Sequence, residues 1–301
     1  MQAPALKKFC PSSMSGFTVI ELLAALLLSA VLLAGVVASF SQLARMAKDQ
    51  ELRTAAQRQA QSVIDMMTPE VRMIGNGVPF HQANFLIAQA GLTDSSVTQP
   101  ILVDGTTATQ LKFRLNETGE TYILTADFDP AAGNTIALTS TNKIFLGDHV
   151  YITNSTVGQD EGFWGVVANG DADAKTITFA EGTQYSPGAI FAKGSLLEVV
   201  PIVTYASHDN YGGITRDSGL GELVLVPNGQ FSLEYLNSEG DQIALPLIAS
   251  AADPFPASAI QNLRAIRLTV QVRSLGLLTT GLPYIATATQ VIGVRNLNYK
   301  Y

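Results

Sequence analysis

Residues 17–40 read FTVIELLAALLLSAVLLAGVVASF, 24 residues that are apolar almost throughout and carry one charge, Glu21. A helix rises about 1.5 Å per residue, so this run would extend about 36 Å, more than the roughly 30 Å of a bilayer's hydrocarbon core. The segment is therefore expected to cross a membrane as a single helix. Lys7 and Lys8 precede it and no acid comes before Glu21, so the positive-inside bias places the N-terminus in the cytoplasm and the remainder across the membrane. A secretory signal peptide cut near Val37-Ala38-Ser39 fits less well, because the usual apolar stretch is about 7 to 15 residues long and does not open on an acid. A plain signal anchor leaves Glu21 unexplained. An acid in the bilayer costs about 2.5 to 3.5 kcal/mol on translocon scales, so it calls for a partner.

Beyond Phe40 the periodicity stays helical. Leu52, Ala56, Ala60, Val63, Met67, Val71 and Ile74 recur every three or four residues, with Asp49, Arg53, Arg58, Asp65 and Arg72 between them. This is the pattern of an amphipathic helix with one face on a core. Thr68-Pro69 is where a kink is expected, since proline removes a backbone donor. Gly75-Asn76-Gly77 followed by Pro79 is a stop. Within the span Gly35 is the one weak helix former.

From about Gln99 the texture changes to short β-rich runs separated by Gly, Asn and Asp, among them 110–115, 121–128, 143–153, 162–167, 175–179, 196–205, 222–226, 230–236, 265–273 and 285–294. Ile266, Leu268, Val270 and Val272 alternate with Arg267, Thr269, Gln271 and Arg273, the period of a strand with one buried face. The expected class is α+β, a long N-terminal helix packed on a large antiparallel, sheet-rich head. Residues 251–257, with two prolines, read as a loop inside that head.

Lys and Arg number 18 against 25 Asp and Glu, a formal charge of −7. Such a balance argues against nucleic-acid binding, which needs clustered cations. The single cysteine, Cys10, allows no disulfide within the chain.

Gly16-Phe17-Thr18-Val19-Ile20-Glu21-Leu22, behind a short basic leader, resembles the processing site of type IV prepilins and of type II secretion pseudopilins. The resemblance implies cleavage between Gly16 and Phe17 by a prepilin peptidase and N-methylation of Phe17. It divides the chain into a leader, 1–16, a long helix, 17–75, with 17–40 transmembrane, and an extracytoplasmic head, 76–301. It also implies a partner for Glu21: the new Phe17 amine of an adjacent subunit, paired in surroundings that screen little. Ala38 stands where many members of the family carry proline, so local melting of the helix is less assured here. Losing the leader would take Lys7, Lys8 and Cys10 with it, leaving a head without cysteine.

A second resemblance, in the order of 197–205, 222–241, 263–274 and the end Val294-Arg295-Asn296-Leu297, is to the PilW/PulJ group of minor pilins and pseudopilins. It implies a subunit that initiates or caps a type IV pilus, with other minor and major pilins and the inner-membrane assembly platform as partners. Before assembly the chain would sit in the inner membrane with its head in the periplasm. The alternatives are a minor pseudopilin of a type II secretion system, or a tip adhesin or binding module.

An enzyme is not expected, and neither is a cofactor. His81, His149 and His208 lie far apart without ligand spacing. Asp217-Ser218-Gly219 lacks the flanking glycines of a nucleophile elbow and reads as a turn. Asp160, Glu161, Asp171 and Asp173 sit in glycine-containing loops without EF-hand spacing. Phe163 and Trp164 read as core or sheet-face aromatics.

Overall fold

The computed structural model describes residues 18–78, 100–102, 106–153, 162–185, 188–244 and 262–295. The leader with Gly16 and Phe17, His81, Asp160, Glu161 and the loop 251–257 lie outside these residues. The fold is α+β, as expected. Helix α1 runs unbroken from Val19 to Arg72, 54 residues or about 80 Å. The strands follow as β1 (Gln110–Arg114), β2 (Thr121–Ile123), β3 (Thr135–Ala137), β4 (His149–Thr153), β5 (Gly162–Asp171), β6 (Thr176–Phe179), β7 (Gln184–Tyr185) and β8 (Leu196–Val199). After them come β9 (Ile202–His208), β10 (Gly213–Asp217), β11 (Leu223–Val226), β12 (Gly229–Leu236), β13 (Gln242–Ile243), β14 (Ala265–Leu277) and β15 (Pro283–Gly293). All pairings are antiparallel among the described residues.

Helix α1 is the spine of the head. Its apolar stripe of Ala56, Ala60, Val63, Ile64, Met67 and Val71 is buried and shares one core with the inner faces of two sheets, β13-β12-β14-β15 and β1-β9-β10-β11. On β14 the alternation seen in the sequence becomes alternation of burial, with Ile266, Leu268, Val270 and Val272 fully enclosed. Pro69 lies inside the helix without ending it. The adjacent Thr68 hydroxyl donates to the Ile64 carbonyl at 2.6 Å. The stop comes where glycines allow positive φ, at Gly75 (79°) and Gly77 (82°). A Cβ on Gly77 would lie 2.3 Å from Glu198 Oε2 and 2.9 Å from Val200 Cγ2, so glycine is required there for space as well as for φ.

Between the paired strands β1 and β9 the chain builds a second unit with its own core. The sheet order β2-β8-β4-β5-β6-β3 returns on itself. Leu124 bridges Leu138, Thr125 N donates to the Ala137 carbonyl (2.9 Å), and Thr139 N donates to the Ile123 carbonyl (2.9 Å). The result is a small closed barrel, which leaves few open edges. Phe128, Phe163, Phe179 and Phe191 fill it, with ring centroids 4.7 to 6.3 Å apart. The run 196–205, expected as one strand, is two. Pro201 lacks an N–H, and the chain leaves the barrel as β8 and enters the other sheet as β9. Strands β3, β7, β10 and β13 are additional to the runs expected from sequence. The run 143–153 forms a strand only from His149, because two successive turns, with positive φ at Lys143 (65°) and Gly147 (89°), precede it.

Contacts along α1 order the head. Asp49 meets Thr279, Gln57 meets Tyr284, Thr68 meets Gln290 and the Arg72 carbonyl accepts from Arg295 N. At the C-terminal end of the helix, Gly75 N donates to the Arg114 carbonyl and Asn116 N to the Asn76 carbonyl, beside the barrel. The β14–β15 turn therefore lies toward the apolar half of α1, and the barrel lies at the opposite end.

Candidate functional site

Among the described residues, nothing packs against the N-terminal half of α1. Leu27, Leu32 and Phe40 are 66%, 70% and 68% exposed, and the span is long and apolar enough to cross a membrane. Leaving so continuous an apolar surface in water is unfavourable, so lipid or other helices must cover it. The helix continues through Gly35. Ser39 and Ser41 hydroxyls return hydrogen bonds to the Gly35 and Ala38 carbonyls (2.9 and 2.8 Å), satisfying those side chains inside an apolar run. The missing Cβ at Gly35 leaves a shallow open groove between Val31, Leu32, Ser39 and Phe40.

Glu21 has a partner in its own chain besides the intersubunit amine expected from the resemblance. Thr18 N donates to Glu21 Oε2 (3.0 Å), and Glu21 N donates to Thr18 Oγ1 (3.3 Å). This is a capping box, which satisfies backbone donors at a helix start that have no intrahelical acceptor. Its sequence signal is Thr18-x-x-Glu21 opening an apolar run. Glu21 Oε2 also accepts from the Thr18 hydroxyl (3.1 Å), and the carboxylate thus stands at the first turn of the bare segment with acceptor capacity left for a further donor. Gly16 and Phe17 precede the described residues, so the structure does not place them against it.

At the other end of α1 a polar cluster ties the helix to the sheet. Glu70 Oε2 accepts from the Tyr205 hydroxyl (2.8 Å) and from Arg216 Nε (3.1 Å), while Arg216 Nη2 reaches Glu117. Burial opposes the Arg216 cation. The two carboxylates outweigh it and hold the guanidinium above its ordinary value. Burial first, and then the Glu70 carboxylate, pushes the Tyr205 phenol up. The geometry suits locking rather than chemistry, because every group in the cluster is engaged by another.

The remaining candidates among the described residues sit in turns, on the surface or in the barrel. Asp217 Oδ1 accepts from Gly219 N (2.8 Å) and Gly221 N (3.2 Å), so Asp217-Ser218-Gly219 is a turn. Asp171 does the same for Asp173 N and Ala174 N at the β5–β6 connection. His208 Nε2 lies 3.4 Å from Glu222 on the exposed surface. His149 and Trp164 pack together on the outside of the barrel, with ring centroids 5.6 Å apart. Phe163 belongs to the barrel core. Among the described residues no group of three or more His, Cys, Asp or Glu side chains could hold a metal ion. Comparisons with protein-family models, characterised proteins and solved structures find no match to the chain.

One titration is expected to show in stability. The Tyr122 hydroxyl donates to the Asn142 carbonyl at 2.6 Å, and burial followed by the nearby Glu120 carboxylate pushes its phenol from 10.0 up to about 12. A folded-state value above the unfolded one means the contribution is complete below about pH 10 and is lost as the pH rises toward 12. Tyr205 and Tyr235, both raised by burial, act in the same direction. Melting temperature measured across pH 9 to 12 should fall, and Tyr122→Phe should fall less steeply than the parent protein. An equal slope would show that Tyr122 does not carry this dependence.

Proposed function

We propose that this chain is a minor pilin, a structural subunit that initiates or caps a type IV pilus. Its prepilin leader is removed between Gly16 and Phe17, the new Phe17 amine is methylated, and Glu21 pairs with that amine on an adjacent subunit. The observation that carries this reading is the division of one unbroken helix into a bare apolar half and a half that forms the spine of the head. Lipid covers the bare half before assembly, and helices of neighbouring subunits cover it afterwards. Because the two halves are one rod, packing of the first dictates where the head stands. The partners are other minor and major pilins, the prepilin peptidase and the inner-membrane assembly platform, and the head faces the periplasm until assembly.

Mass spectrometry of the N-terminal peptide from purified protein tests the processing step. A peptide beginning at methylated Phe17 is expected, and one beginning near Ser39 or at Met1 would contradict the reading. Capture of the chain from membranes should bring down other pilin-like subunits of a pilus. Recovery of secretion-system pseudopilins instead would move it to a type II secretion system, whose pseudopilins the Gly16-Phe17 motif resembles as well.

A further inference from the structure

The β14–β15 hairpin changes character along its length. The β14 side chains that alternate with the buried set are first polar, Arg267, Thr269, Gln271 and Arg273, and then Leu275 and Leu277. These two leucines are 79% and 59% exposed, and across the turn Leu282 is 68% exposed. Pro283 pairs opposite Leu277, and Ile285 opposite Arg273. A strand whose solvent face is polar over most of its length and leucine-rich only at one end is patterned for two environments.

That end is the one nearest the apolar half of α1. Gly276 lies against Leu52, where an added Cβ would sit 3.3 Å from the leucine methyls. Thr279 N and Oγ1 donate to the two Asp49 carboxylate oxygens at 3.0 and 2.6 Å. A hydrocarbon core of about 20 helical residues starting after Glu21 ends near Ser41, which leaves roughly 12 Å of helix to Asp49. The headgroup layer spans about 5 to 7 Å of that distance, and the tilt of about 20° usual for such helices lowers a hairpin on the leaning side further. Arg45 and Lys48, both exposed, occupy the intervening turns, where cations suit lipid phosphates.

We propose that the hairpin tip, through Leu275, Leu277 and Leu282, rests on the headgroup layer of the membrane that anchors α1. This gives the unassembled subunit a second lipid contact and sets the rotation of the head about its helix. The proposal depends on residues 17–40 spanning the membrane. Lipid fits the patch better than a second protein does. The patch stands at the end of the head nearest the span, with the turns of Arg45 and Lys48 between them, and a few side chains fall well short of the roughly 1,000 Å² that a stable protein interface buries.

The test uses the full chain carrying Cys10→Ser and one new cysteine at a time, Val31→Cys, Leu277→Cys or Thr287→Cys, each labelled with an environment-sensitive fluorophore. Thr287 is an exposed β15 position away from the tip. The labelled protein is reconstituted at high lipid excess in phosphatidylethanolamine–phosphatidylglycerol vesicles that carry spin labels either at the headgroup or deep in the acyl chain. Val31 should be quenched by the deep label, and Leu277 should be quenched by the headgroup label at least about twofold more than Thr287. Quenching at Val31 with Leu277 no different from Thr287 would overturn the tip contact and leave the span intact. Absence of quenching at Val31 would overturn both. A Leu277 signal that ignores the headgroup label but changes as protein is added relative to lipid would assign the patch to a second copy, again overturning the proposal.

Discussion

Replacing Glu21 with leucine is expected to leave membrane insertion and cleavage after Gly16 intact while excluding the subunit from filaments and partner complexes. The substitution removes a charge from an apolar helix, so insertion should be as good or better. The Phe17 amine of a neighbouring subunit would then lie among apolar helices without a counter-charge, at a cost of a few kcal/mol, or a hundredfold or more in association. The capping box with Thr18 offers a competing explanation for the same residue. Its loss would cost only about 0.5 to 2 kcal/mol and would fray one turn. Glu21→Gln separates the two, because the amide oxygen can still accept from Thr18 N while the charge is gone. If charge pairing governs assembly, Gln fails as Leu does. If capping governs it, Gln assembles and Leu is only weakened. The readouts are membrane level, mature size, and surface filaments with co-purifying partners in a strain lacking the parent copy. Normal filaments with Glu21→Leu would refute the pairing role.

The second large effect is expected inside the head. Val63 is 1% exposed on the stripe of α1 that shares its core with β12, β14 and β15. Val63→Asp would place a carboxylate in a core of apolar side chains, a penalty of about 3 to 5 kcal/mol against a total stability that is typically 5 to 15. The melting temperature of the detergent-solubilised chain should drop steeply, or the head should fail to fold. Arg58→Asp, on the exposed side of the same helix, should change stability by no more than about 0.5 kcal/mol. Equal stability of the two variants would show that the stripe is not buried. Reducing agent should alter neither result, since Cys10 is the chain's one cysteine.

Features that repeat along the chain are legible in the amino-acid sequence itself. The apolar span, the amphipathic continuation from Leu52 to Ile74, the glycine stop and the alternation of residues 265–273 each depend on neighbours a few residues away, and helix or strand periodicity displays them directly. Glu21 stands out for the same reason, as the one charge in an apolar run, and its capping partner Thr18 is three residues distant. Features that join distant segments are not legible in this way. Strands of alternating pattern serve an open sheet and a closed barrel equally well. Only the long-range pairing of Leu124 with Leu138, and of β8 with both β2 and β4, decides that residues 121–199 close around a core of their own. The polar cluster joins Glu70 to Arg216 across 146 residues, a proximity that no local pattern encodes. Leu275 and Leu277 lie beyond the run 265–273 read as a strand, and β14 extends to include them. Their exposure at the end of the head nearest the apolar half of α1 follows from which face of β14 meets α1 and from the Asp49–Thr279 contact that fixes the hairpin along the helix, and tertiary packing alone determines both.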